Sequence, residues 1–170
     1  GDVSIVEIAG LRELASGLAD LQLVEGELEI SSNPVLARVC GLPELQRIGG
    51  DLVVERNDQL VAVCGFSSLV LIATYSDIGE RQPLRRDRTP SRLLVSLNPE
   101  LRRIGGFPVL TDVEGDITFT DTPMLDEGGG FGALEFFGGT LSVRAAPKLT
   151  ELSAMTSPMC IRRLILEDTG

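Results

Sequence analysis

Three cysteines and a complete lack of histidine set the limits on the chemistry this 170-residue chain can perform. Without His there is no side chain titrating near neutral pH to serve as general base, and the commonest metal ligand is missing. A Ser-His-Asp or Cys-His arrangement is therefore impossible within these residues. Cys40 and Cys64 stand 24 residues apart, Cys160 stands alone, and no Cys-x-x-Cys pair occurs, which disfavours a metal site. The run Gly128, Gly129, Gly130 with Gly132 lacks the Lys-Ser/Thr and the following helix of a phosphate loop, and reads as a tight, irregular turn. No catalytic residue, metal or cofactor is expected.

The 24-residue spacing of the two cysteines belongs to a larger pattern. GELEISSNPVLARVCGLPELQRIG, from Gly26, is followed by GDLVVERNDQLVAVCGFSSLVLIA, from Gly50. Leu28, Ile30, Asn33, Leu36, Val39, Gly41, Leu42, Leu45 and Ile48 fall onto Leu52, Val54, Asn57, Leu60, Val63, Gly65, Phe66, Leu69 and Ile72. A period in this range marks a solenoid, whose units bury their apolar faces only by stacking on one another. With 43% apolar residues but only 4% aromatic and no Trp, the core must be built from Leu, Ile and Val. Nineteen Gly and nine Pro suit a chain that bends several times per repeat.

One solenoid domain is predicted over residues 1–170. Residues 1–25 form an N-terminal cap or first rung: Val3 and Ile5 alternate as in a short strand, and Leu11, Leu14 and Leu18 have the spacing of a one- to two-turn capping helix within LRELASGL. Residues 26–73 are clear rungs. Thr74 to Pro90, rich in charge and holding two prolines, is an inserted loop (74–90). Residues 91–170 resume the pattern: Leu93, Val95, Asn98 and Leu101 are in phase, and Thr122 and then Ala146 stand where the Asn was. RRLILED is a last strand about one residue out of phase. The fold class is all-β, a right-handed parallel β-helix of about six rungs with strands about 4.8 Å apart.

At these residues the chain resembles the receptor L domain, the single-stranded right-handed β-helix of insulin- and epidermal-growth-factor-type receptor lobes and of related fungal and bacterial surface proteins. The shared phrase, G-x-L-x-I-x-x-N-x-x-L-x-x-I-x-G-L/F-x-x-L-x-x-I-x-G, is matched well over residues 26–72 and 91–115 and weakly to 153. That resemblance implies an extracellular or cell-surface recognition module. Departures are Thr122 and Ala146 at the Asn position, the insertion, and few cysteines.

Outward positions of the x-Φ-x-Φ-x strands make the face where function is expected, with Glu29, Val53, Glu55, Arg92, Leu94, Thr118 and Ser142 as its binding residues. Exposed Val53 and Leu94 would form a small apolar spot rimmed by charge. Arg85, Arg86 and Arg88 in the insertion could dock an acidic partner, or simply be solvated. Cys40 and Cys64, on adjacent rungs, lie within the roughly 4.4–6.8 Å a disulfide needs. They are either bridged, in an oxidising compartment, or two small residues filling equivalent corners. Asn33, Asn57 and Asn98 are expected to hydrogen-bond turn backbone rather than ligand.

The net charge of −10 disfavours a nucleic-acid partner, so none is expected, and no run reaches the ~18 apolar residues of a membrane-spanning helix, so no direct membrane insertion is expected. The first ten residues have neither a basic n-region nor a signal-like apolar stretch, so the chain is expected to start after processing or to be an excised domain. The expected function is non-enzymatic recognition of a protein or glycan by the flat β-face. A structural spacer or scaffold subunit is the alternative. An ice-binding surface of Thr118, Thr120, Thr140 and Ser142 is remote because charges interrupt it. Equally remote is a polysaccharide-active enzyme, for which Asp51, Asp116 and Arg92 are the only outward candidates.

Overall fold

The computed structural model describes residues 1–14, 17–74, 89–152 and 163–169. It is an all-β parallel solenoid of about six turns. Its three sheets hold seven, six and five strands, all in parallel register. The long sheet runs Val3–Val6, Leu28–Ser31, Leu52–Glu55, Leu93–Ser96, Ile117–Thr120, Thr140–Ala146 and Arg163–Thr169. The second sheet starts at Glu13–Leu14 and includes Arg38–Val39, Ala62–Val63, Arg103–Ile104 and Glu127–Gly128. Leu23–Val24, Arg47–Ile48, Leu71–Ile72, Asp112–Val113 and Phe136–Phe137 make the third.

Alternation along each long strand sends every second side chain inward. Ile5, Ile30, Val54, Val95, Phe119 and Val143 form one column of direct register partners, all buried. The Gly-Leu/Phe corner forms another, in which Phe107 stacks on Phe66 at 5.1 Å and on Phe131 at 5.2 Å. Gly128 takes a buried place beside Ile104, and the same turn carries Phe119 and Phe137 where the preceding one has Val95 and Val113. The Gly-rich run is thus part of a rung.

Close stacking explains several glycines. A Cβ on Gly49 or Gly50 would lie 2.1 or 2.7 Å from backbone of the turn below, distances no side chain tolerates. Gly106 combines such a contact with a φ of +84°.

The capping helix does not form. Among the described residues of 11–18, Glu13–Leu14 is a strand paired to Arg38–Val39, and the backbone bonds run to the next turn, as from Ala37 N–H to Arg12 C=O at 2.8 Å. Leu14 is buried, and Leu11 and Leu18 pack on the core. The three-residue apolar spacing that mimics a helix is the coil's own rhythm, visible again in Leu36, Val39, Leu42, Leu45 and Ile48.

The insertion enters and leaves through one buried carboxylate. Glu114 accepts hydrogen bonds from Thr74 N–H (3.0 Å), Thr74 Oγ1 (2.9 Å) and Ser91 N–H (3.4 Å). Arg85, Arg86 and Arg88 lie outside the described residues, as does Cys160. The last strand, Arg163–Thr169, pairs with Thr140–Ala146. Its Leu164 and Leu166 sit over Leu141 and Val143, yet remain 50% and 51% exposed.

Candidate functional site

Parallel register brings most of the predicted binding residues into one line. Glu29, Val53, Leu94, Thr118 and Ser142 are successive partners down the middle of the long sheet. Glu55 belongs to the flanking column with Ser31, Ser96 and Thr120, and Arg92 to the column with Glu27, Asp51, Asp116 and Thr140.

The apolar spot is smaller than expected. Val53 is only 6% exposed and Leu94 is half-buried. A short side chain on a parallel sheet is flanked at about 4.8 Å by its register partners, here Glu29 on one side and Leu94 on the other. Ser142, 8% exposed, is covered in the same way. What the face offers to solvent is mainly its charged columns.

Many of those charges are engaged with one another. Arg92 Nε donates to Asp51 Oδ2 at 2.8 Å, while Arg92 N–H donates to Asp51 Oδ1 at 3.0 Å. Ser31 Oγ donates to Glu29 at 2.6 Å and Ser96 Oγ to Glu55 at 3.2 Å, with Arg56 also paired to Glu55. Arg144 Nε meets Glu167 at 3.2 Å. At the other end Asp2, Glu27, Glu29 and Asp51 crowd together. Partial burial, then the neighbouring Asp51, Glu29 and Asp2, push the Glu27 carboxyl above its ordinary value.

Inspection of single repeats overlooks one recurring device. Gly-Asp opens three turns, and each aspartate caps the turn above it: Asp2 accepts Glu27 N–H (3.0 Å), Asp51 accepts Arg92 N–H, and Asp116 accepts Thr140 N–H (2.6 Å). Asp51 and Asp116, the residues an enzyme would need, thus each satisfy backbone. The recurrence of Gly-Asp at a fixed repeat position was the available signal.

The asparagines form a ladder. Asn33 Nδ2 donates to Ile5 C=O (2.8 Å) and Ser31 C=O (2.9 Å), and its N–H donates to Asn57 Oδ1 (3.1 Å). Asn57 repeats this with Ile30 and Glu55 carbonyls and with Asn98 Oδ1. All three are fully buried. Each follows a residue held in the left-handed region, Ser32, Arg56 or Leu97, at φ of 53–56°. Their chemistry is spent on the turn.

Cys40 and Cys64 are joined as a disulfide with Cα atoms 4.7 Å apart, linking two adjacent turns. Among the described residues no grouping of three or more Cys, Asp or Glu is placed to hold a metal ion.

No family model matches this chain, and neither the curated proteins nor the solved structures include a significant match.

Proposed function

We propose that the chain is a receptor-L-type solenoid that acts as a non-enzymatic extracellular or cell-surface recognition module, contacting a protein or glycan through the long parallel sheet. The supporting observation is the single line of Glu29, Val53, Leu94, Thr118 and Ser142, held in continuous parallel register with charge-bearing columns on both sides. Carboxylates gathered at Asp2, Glu27, Glu29 and Asp51 favour a partner that presents cationic groups there. The inter-turn disulfide suits an oxidising compartment. The engagement of Asp51 and Asp116 by backbone, together with the lack of His, favours binding over catalysis.

A spacer or scaffold role is the second reading, favoured by the internal pairing of Arg92, Glu55 and Arg144 and by the coverage of Val53. Binding of the immobilised domain to arrays of secreted proteins and of glycans separates the two. A recognition module retains a partner and loses it when Glu29→Arg and Leu94→Arg are combined, with Tm unchanged. A partner indifferent to both changes, or no retained partner at all, leaves the spacer.

A further inference from the structure

The glycines beyond the disulfide mark a second surface, at the corner that follows the second sheet. Cys40, Cys64, Gly105 and Gly129 hold the same place in four successive turns. Their N–H groups donate to the carbonyls of Leu14 (3.3 Å), Val39 (2.8 Å), Val63 (2.9 Å) and Ile104 (2.8 Å). The disulfide therefore joins two cysteines stacked in adjacent turns, with Cys40 half-buried and Cys64 exposed. Past Cys64 in that line, the next two positions are Gly105 and Gly129, which carry no side chain. A depression of about 600 Å³ opens there, lined by Cys64, Gly105, Gly129 and Gly130 and flanked by Arg103 and Glu127.

Packing does not account for Gly105. A Cβ at Gly65 or Gly106 would meet backbone of the preceding turn at 2.7 or 2.6 Å, but one at Gly105 would meet nothing within 4 Å. Nor does Gly105 share the positive φ of Gly106. The effect of a glycine here is to leave the approach to Cys64 open.

Disulfide exchange needs a thiolate to attack one sulfur in line with the S–S bond while the other departs. The Gly105 side leads to Cys64, the more exposed of the two cysteines, and attack from that side makes Cys40 the leaving group. We propose that the Cys40–Cys64 bridge is a thiol-exchange site, entered through the Gly105–Gly129 depression by a small thiol that carries carboxylate and ammonium groups. The incoming thiolate forms a bond to Cys64 Sγ. The Cys40–Cys64 bond breaks with its electron pair on Cys40 Sγ, which leaves as a thiolate. Return of the Cys40 thiolate to Cys64 expels the small thiol and restores the bridge, so the cycle consumes no oxidant. Arg103 faces the carboxylate of the incoming thiol and Glu127 its ammonium. This activity is independent of recognition by the long sheet.

The test uses the oxidised protein in a Cys160→Ser background, incubated with reduced glutathione, quenched, alkylated and mapped by mass spectrometry. The expected adduct is on Cys64, with alkylation on Cys40. Gly105→Val is expected to slow adduct formation about 10-fold or more by closing the line of attack, at unchanged Tm. Arg103→Glu is expected to slow glutathione severalfold and leave the rate with 2-mercaptoethanol unaltered. An adduct on Cys40, equal labelling of both sulfurs, or an unchanged rate in Gly105→Val overturns the proposal. So does alkylation of both cysteines before any thiol is added. Should Gly105→Val lower Tm, the glutathione to 2-mercaptoethanol rate ratio in Arg103→Glu decides, and an unchanged ratio overturns it.

Discussion

The turns at Asn33, Asn57 and Asn98 and the turns at Thr122 and Ala146 follow the same path with different chemistry. The preceding residues hold φ of 56°, 53° and 53° in the first group and 54° and 51° in the second. In the first, each amide side chain satisfies carbonyls of its own and the preceding turn and receives an N–H from that turn. In the second, Thr122 Oγ1 is buried with no partner among the described residues, and Ala146 offers no polar atom. The backbone course is thus set by stacking and apolar columns, and the asparagines add stability to a path already chosen. Strain that the ladder relieves in one half is carried by the coil alone in the other.

The sharpest way to break this contrast is Asn57→Ala. It orphans the buried Asn33 N–H and removes an amide donor from the carbonyls of Ile30 and Glu55, the second of which keeps Ser32 N–H, and is expected to cost about 3–5 kcal/mol in denaturant unfolding. Thr122→Ala, at the equivalent turn, is expected to cost under about 1 kcal/mol, since its hydroxyl bonds nothing. Equal losses at the two sites would refute the distinction.

Removing the bridge with Cys40→Ser and Cys64→Ser comes next. A loop of this length is worth about 3 kcal/mol in the unfolded-chain account, read as a drop in Tm that added reductant does not deepen.

Thr122→Asn sharpens the contrast from the other side. It would extend the ladder to the carbonyls of Val95 and Thr120 and to Asn98 N–H, and is expected to gain about 1 kcal/mol. A loss would mean that the later turn cannot accept the amide.

The smallest effect concerns Glu27. Its carboxyl titrates above the ordinary value of 4.5, so ionisation is harder in the folded state than in the unfolded chain. The resulting penalty is fully present at neutral pH and is relieved as pH falls through the raised pKa. Glu27→Gln is therefore expected to stabilise by a few tenths of a kcal/mol near pH 7, after solvent screening, and to lose that advantage toward pH 4. Thermal melts across this range check the sign.

Much of the architecture was legible because a solenoid writes its contacts at fixed intervals. Ile30, Val54, Val95 and Phe119 share one repeat position and hence one column, and Cys40 stands beside Cys64 for the same reason. The same regularity misled at Leu11, Leu14 and Leu18, where a three-residue rhythm stands equally for a helix and for a coil of short strands. Exposure was less legible. Val53 lies on the outer side of its strand, as alternation requires, yet it is covered by neighbours distant along the chain.

The order of residues alone determined the period, the inward and outward sides and the placement of the insertion, since these depend on local alternation and repetition. Only the stacked coil decided that Glu114 clamps both feet of that insertion, that three aspartates are consumed as caps, and that Gly105 and Gly129 line a depression beside Cys64. Each of these is a relation between adjacent turns. It exists only once residues some two dozen positions or more apart have been brought within bonding distance.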